Sequence, residues 1–362
     1  MKLIKIIKIV FFNLIYGRIS KVQTKKNNQN ITIKKVSFKK KYFYNVYFSK
    51  NSRNYVGSIH DSALIINNSV FPQASYQYRY NRYNLIQNAD VKKNIVFTEG
   101  TARFKKEILG SVFMLLTGGA GKENYFHWIF DVLPRIAILE KSNFNFKNLK
   151  FLLPSLKFNF QKETLKLLKL PPKNCLDIKY YKHFTAEKII TTDHPYVFNN
   201  NPTNSILDIP PWIIFWLRKK FKFRNKKKNI FSSKIYIDRS DSKFSKNRYI
   251  VNEENLKKYL ITKGFKSVVL SKISFKKQVK IFSHAKVIVG AHGAGFSNII
   301  FSNPGTKIIE LQSSKSGDAI KNLAKKCNLN YKRIVSKYIF KKNMNPHGKI
   351  LVDLNLLKKK LN

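Results

Sequence analysis

Residues Val287 to Asn298 read VIVGAHGAGFSN, a run that leaves the backbone few local folds. Val287, Ile288 and Val289 are β-branched and apolar, as a strand covered on both faces requires. Gly290, Gly293 and Gly295 then let the chain turn sharply with no Cβ in the way. A helix starting near Gly295 would direct unpaired N–H groups and a positive dipole end into that turn. Such a turn suits a phosphate, and His292 and Ser297 add side-chain donors. A tightly packed strand-to-helix turn would use the same glycines. The spacing is not G-x-G-x-x-G, so the neighbourhood has to decide between the two.

That neighbourhood alternates regularly. Strands are expected at Lys234–Ile237, Lys266–Leu270, Lys286–Val289 and Lys307–Leu311. Helices are expected at Glu253–Lys263, from near Ser274, after the glycine turn, and at Ala319–Lys326. Asn252 is a candidate N-cap and Gly264 a C′ stop. Alternation of this kind implies a parallel sheet with helices on both faces. Ligands of such sheets bind at the carboxyl ends of the strands.

The first half is mixed. Short strands are expected at Ile31–Phe38, Ala63–Ile66, Asn94–Phe97, Leu149–Leu153 and Lys188–Thr191. Thr117–Lys141 runs from a glycine turn into an amphipathic helix, and another helix lies around Gln161–Leu168. Pro210 and Pro211 open a helix carrying Trp212 and Trp216. The lysine-rich stretch around 222–233 reads as a linker. The expected organisation is therefore a leading segment 1–25, a first domain 26–221, the linker, a second domain 234–340 and a tail or helix 341–362. With 362 residues there is material for two cores.

The leading segment, MKLIKIIKIVFFNLIYGRISK, has an apolar core between Lys8 and Arg18 that is too short to span a bilayer, which takes about 20 residues. It reads either as an amphipathic helix lying on a membrane surface or as a first strand. No small-residue cleavage site follows, which argues against a signal peptide. Cys175 and Cys327 are too few for a disulfide framework and have no metal-site spacing, and they fit a cytoplasmic protein. The net charge of +51 is mostly lysine spread along the whole chain, with sparse arginine. This pattern points away from a specific nucleic-acid site. It resembles the codon bias of an AT-rich, bacterial genome. Runs such as Lys226–Lys228 and Lys358–Lys360 read as solvated faces, although the field would attract nucleotide-sugars, anionic glycans and acidic membranes.

Three groups fall on the expected carboxyl edge. Arg239 and Ser240 follow Asp238 at a strand end, with Arg248 close by, and arginine grips phosphate with a planar fork. The alternative for Arg239 is an ion pair with Asp238 or Asp241. The glycine turn contributes His292, Gly293, Ala294, Gly295, Ser297 and Asn298. Glu310 ends the next strand, where a carboxylate can accept from ribose hydroxyls or pair with a lysine. In the first half Asn124, His127, Trp128, Asp131 and Arg135 form another group. His127 and Asp131 stand four apart and share a helix face. Either could deprotonate a hydroxyl, or Asp131 could orient His127 as the third member of a triad does. Trp128 also reads as core. Asp193-His194 sits in a loop as a weak auxiliary pair. GGAGK, Gly118–Lys122, lacks the first glycine and the Ser/Thr of a Walker loop. D-x-D, H-E-x-x-H and G-x-S-x-G are absent.

In order, these motifs resemble glycosyltransferase family 61. The YFHW stretch Tyr125–Trp128 is followed by D-x-x-P-R from Asp131 to Arg135. Arg239, Arg248, Asn252 and Glu253 come next, then Ser274, Phe275 and Gln278. The series closes with Gly290–Asn298 and Pro304–Leu311. The resemblance implies a GT-B-like α/β fold, two Rossmann-like domains with mostly parallel sheets facing a cleft. It also implies inverting sugar transfer from a nucleotide-sugar, taken as a UDP-sugar, with no obligatory metal or cofactor. Arg239, Ser240, Arg248, the residues of the turn and Glu310 would hold the donor. His127 or Asp131 would activate the acceptor, with Asn124, Trp128 and Arg135 on the acceptor side. Bacterial members suggest a glycan or lipid-linked glycan acceptor in capsule or lipopolysaccharide assembly, at the inner face of the cytoplasmic membrane. Two rival readings use the same residues differently: a nucleotide-sugar 2-epimerase of GT-B fold, and a non-enzymatic polyanion binder.

Overall fold

A computed structural model of the chain describes residues 2–22, 29–57, 62–79, 84–87, 94–116, 120–197, 206–221, 231–240, 250–314, 316–336 and 349–362. Contacts divide it into two units, Met1–Trp216 and Leu217–Asn362. The helix Pro211–Phe221, opened by its proline as expected, runs over the division. Arg248, Asp241, Tyr249, Lys226–Lys228, Gly118, Gly119 and most of the expected linker lie outside the described residues.

The second unit is a five-stranded parallel sheet. In chain order its strands are Lys234–Asp238, Lys266–Val269, Val287–Ala291, Lys307–Gln312 and Asn330–Val335. In space the second strand lies outside the first, and the third, fourth and fifth follow on the other side. The strand order therefore reverses between the first and third strands, where Ile237 pairs with Gly290. Sheets of this order take their ligands beside that reversal, beyond the carboxyl ends.

One face of the sheet buries Tyr236, Val289, Ala291, Ile309 and Leu311 against Leu256, Leu260 and Leu357. The last three come from helices Glu253–Thr262 and Leu354–Leu361. Gly264 ends the first of these helices with φ +78°, the left-handed stop expected of it. Asn252 stands at the N-cap position as expected, but its side chain makes no capping bond: its amide accepts from and donates to the backbone of Val352, at 3.0 and 2.9 Å. Strand Asn330–Val335 was not anticipated, because of its six residues only Ile334 is buried and no apolar run marks it.

The first unit is built on an eleven-stranded mixed sheet. Strands Cys175–Asp177, Lys150–Leu153, Lys106–Met114 and His183–Thr192 lie side by side and parallel. His183–Thr192 then pairs antiparallel with Tyr42–Ser49 and Arg53–Val56. The sheet expected to be mostly parallel is thus mixed, parallel over these four strands and largely antiparallel beyond them. Two antiparallel pairs of the remaining sheet, Ile31–Phe38 with Tyr42–Ser49 and Ser62–Ile66 with Ser69–Arg79, are joined by tight turns. The first turn spans Lys39–Lys41, with Lys39 and Lys40 at φ 52° and 51°, and the second is Asn67-Asn68, at φ 46° and 59°; both are too short for a parallel crossover.

Residues Asn94–Phe97, expected as a strand, instead turn into the short helix Val96–Glu99. The Asn94 side chain accepts from Val96 N, and its carbonyl accepts from Phe97 N, so turn chemistry overrides the apolar run. Of the two readings of the leading segment, the helix is found, over Lys2–Tyr16. No described helix is long and apolar enough to cross a membrane. Cys175 and Cys327 are unbridged.

Candidate functional site

In the first unit, Asn124 starts the helix that carries His127 by accepting from Phe126 N at 2.9 Å. The helix is not regular. Trp128–Val132 forms a π turn in which Leu133 N reaches back five residues to Trp128 O, at 3.1 Å. Pro134 opens the next α-helical stretch, Pro134–Lys141. It has no N–H to continue the ordinary ladder, which accounts for the wider turn. Such turns recur at functional sites. The whole stretch from Trp128 to Leu139 is buried, so it is not the amphipathic helix expected from sequence.

Asp131 is the centre of the cluster. Its Oδ2 stands 2.8 Å from His127 Nδ1, and its Oδ1 accepts from the Tyr196 hydroxyl at 2.6 Å. His194 Nε2 lies 3.7 Å from Oδ2. His194 Nδ1 accepts from the amides of Tyr196 and Val197, at 3.3 and 3.1 Å. The proton of neutral His194 is therefore on Nε2, facing the carboxylate.

Burial opposes charge on Asp131, but His127 and His194 pull its carboxyl well below the usual range. Burial likewise opposes charge on His127, and the Asp131 carboxylate outweighs it, so this imidazole is held above its ordinary range. Burial dominates at His194 and lowers it. An ionised Asp131 accepts the His127 Nδ1 proton and leaves Nε2 as the basic nitrogen. The His127 side chain is 19% exposed and that of Asp131 3%, so His127 is the one that can meet a hydroxyl.

The loop carrying His194 is held at three points. Asp193 accepts from Asn45 N, Asn45 Nδ2 and the Tyr47 hydroxyl, at 2.6, 2.8 and 2.8 Å. Pro195 O accepts from the Tyr44 hydroxyl, which in turn accepts from Trp212 Nε1. The loop thus places His194 at the cluster, with Asp193 anchoring the loop on Asn45 and Tyr47. Tyr196 joins the cluster only through the fold, 65 residues from Asp131 along the chain, and no sequence motif marks it. Arg135 is fully buried and donates Nε to Asp131 O at 3.2 Å and Nη1 to Thr192 O at 3.4 Å. Trp128 is also fully buried, with its indole on Thr164. Both hold the helix in place; neither meets solvent as an acceptor contact would.

In the second unit, Arg239 and His292 meet where the strand order reverses. Arg239 Nη1 donates to His292 O at 2.6 Å. Of the two competing partners of Arg239, Asp238 pairs with Lys257 at 2.8 Å and accepts from Ser240 N at 2.8 Å, while Asp241 lies outside the described residues. A Cβ on Gly293 would come within 2.9 Å of the Arg239 guanidinium, and the residue has φ +157° and ψ −178°, a region left to glycine. Gly290 and Gly295 serve packing, since a Cβ on either would press on Ile237 or Leu270 at 2.9 Å. His292, Gly293, Ala294 and Gly295 form a half-buried lip, and the helix expected after the turn is present as a 3-10 helix, Ala294–Phe301, buried from Phe296 onward.

Glu310 does not stand open to a ribose. It is 0% exposed; Oε1 lies 2.5 Å from His292 Nδ1, and Oε2 accepts from Gln312 at 2.9 Å and Tyr331 at 2.6 Å. Its role in this arrangement is to orient His292. Asn298 is likewise buried, bonded to Gln278 at 3.0 Å, while Gln278 holds Leu270 O at 2.9 Å. With Ser274 capping the helix Phe275–His284, the S-F-x-x-Q motif ties that helix to the glycine turn. Ser297 is buried too, its hydroxyl without a hydrogen bond among the described residues. No group of three His, Cys, Asp or Glu residues among the described ones could hold a metal ion.

Residues 125–309, just over half of the chain, match the family model described as Glycosyltransferase 61. The matched segment carries His127, Asp131, Arg239 and His292. No curated protein matches the chain.

Proposed function

The chain belongs to glycosyltransferase family 61, and from that membership we propose an inverting, metal-independent transfer of sugar from a UDP-sugar to a glycan hydroxyl. The observation that carries this reading is the His127–Asp131 pair. A buried carboxylate with both oxygens engaged holds Nδ1 of a more exposed imidazole and leaves Nε2 to act as base. In the step proposed, Nε2 takes the acceptor proton as the acceptor oxygen bonds to the anomeric carbon. The bond from that carbon to the diphosphate breaks on the opposite side, which inverts its configuration.

The leaving diphosphate needs fixed positive groups, supplied in this reading by Arg239, Arg248 and the amides of the glycine turn. In the GT-B arrangement taken here, the second unit carries the donor and the first unit the base. A glycan or lipid-linked glycan of a bacterial capsule or lipopolysaccharide is the acceptor class that goes with this reading.

A thermal-shift screen with nucleoside diphosphates and nucleotide-sugars tests the donor half, because a ligand of the folded state alone raises its midpoint. UDP and UDP-sugars are expected to stabilise the wild type and His127→Ala, and to lose that effect in Arg239→Ala. No stabilisation by any nucleotide would remove the donor assignment.

A further inference from the structure

The helix Lys2–Tyr16 presents to solvent what a folded chain ordinarily buries. Leu3, Ile4, Ile7, Val10, Phe11 and Leu14 are all exposed, Leu14 at 82%. At about 100° per residue these side chains fall on one broad arc. The opposite side is fixed to the fold of the first unit. Phe12 is 4% exposed and packs edge-on against Phe104. Tyr16 O accepts from Arg53 Nη2 at 3.0 Å, Tyr16 packs edge-on against His183, and Lys5 pairs with Glu99 at 2.6 Å. Asn13 passes so close to Gly100 that a Cβ there would overlap it at 2.4 Å. The helix is therefore held along its length, with its apolar arc turned outward. Phe104 is itself exposed and its ring meets Phe11, which widens the patch.

The charges around the patch select its occupant. The helix has no acidic residue, and Lys8, Arg18 and Lys105 are exposed around it. The chain carries a net charge of +51, so a second copy placed against this face would meet strong repulsion, whereas an anionic surface would be attracted. The helix is 15 residues, about 22 Å long, and so shorter than a bilayer's hydrocarbon core of about 30 Å. A wide apolar arc rimmed by cations is the pattern of a helix lying in the headgroup plane.

We propose that Lys2–Tyr16 is a pre-docked interfacial helix that seats the first unit on an anionic lipid bilayer, with Leu3, Ile7, Val10 and Leu14 entering the acyl boundary. The inference deepens the functional reading by placing the acceptor at a membrane surface, and it rests on that reading for its meaning alone. Its test needs neither donor nor acceptor, so its failure is distinguishable from failure of the transferase assignment.

Vesicles of phosphatidylcholine with and without phosphatidylglycerol are sedimented with the full chain and with the triple variant Ile7→Gln, Val10→Gln, Leu14→Gln. The wild type is expected to bind the anionic vesicles, and the variant to bind at least tenfold more weakly with an unchanged unfolding midpoint. Every lysine is kept, so electrostatics alone cannot produce that loss. Equal binding by the variant, or no binding by the wild type, overturns the proposal. So does a dimer seen in ultracentrifugation that the triple substitution abolishes without any change in vesicle binding.

Discussion

Nδ1 of His127 stands 2.8 Å from Oδ2 of Asp131, a carboxylate whose other oxygen is taken by Tyr196. The second unit repeats the arrangement: His292 on Glu310, and Tyr331 on the remaining oxygen of Glu310. In both, a buried acid fixes the tautomer and direction of a more exposed imidazole, the role of the third group in a catalytic triad.

The pH dependence of turnover follows from the first pair. Asp131 holds His127 above its ordinary pKa of about 6.5. A base must be deprotonated, so kcat is expected to rise with pH to a midpoint above 6.5. Asp131→Asn removes the carboxylate while burial remains, so the midpoint moves below that value and kcat falls by about 10²–10⁴. A pH–rate profile of both proteins checks this; an unmoved midpoint rules out His127 as the titrating base.

Gly293→Ala is expected to act through Arg239. The added Cβ would meet the guanidinium and a backbone conformation left to glycine. Loss of one charge-assisted contact to a diphosphate corresponds to about 1.5–3 kcal/mol, or roughly a 10–100-fold weaker donor. Calorimetric titration with UDP should give similar losses for Gly293→Ala and Arg239→Ala.

Asn298→Ala separates holding the turn from binding the donor. Asn298 is buried and bonded to Gln278, so its loss should cost about 1–3 kcal/mol of stability. The folded fraction should keep wild-type affinity for UDP. Denaturant unfolding and titration of the same preparation distinguish the two roles.

His183 makes the attachment of the leading helix sensitive to acid. It is buried between Tyr16 and Tyr55, and burial lowers its pKa to about 4. The unfolded chain, titrating near 6.5, binds the proton first as pH falls. Stability from this residue is therefore complete above about pH 6.5 and declines toward pH 4, by at most about 1.4 kcal/mol per pH unit. His127 contributes with the opposite sign, since its folded pKa is raised. The wild type should lose stability faster than His183→Gln between pH 6.5 and 5, as read from unfolding midpoints.

The parallel sheet of the second unit was legible because buried strands announce themselves as apolar runs between glycine and polar turns, as Val287–Val289 does. Its last strand was not, because only Ile334 is buried there. The antiparallel half of the first unit was concealed in its turns, where Asn67-Asn68 carried a reversal signal that the apolar runs overshadowed. In the candidate site the histidines and acids could be named from spacing along the chain. Tyr196 and Tyr331 could not, since each reaches its carboxylate only through the fold. Glu310 and Asn298 look like ligand contacts when read as motif letters. Burial shows that one orients a neighbour and the other holds a turn.

The most direct measurement is acceptor-dependent release of UDP from UDP-sugars, with the products separated, for the wild type and His127→Gln. The account expects a glycosylated acceptor of inverted anomeric configuration from the wild type. It expects a loss of about 10²–10⁴ in kcat for the variant, with UDP affinity unchanged. Isomerisation of the donor sugar without any acceptor, or full turnover by His127→Gln, would contradict it.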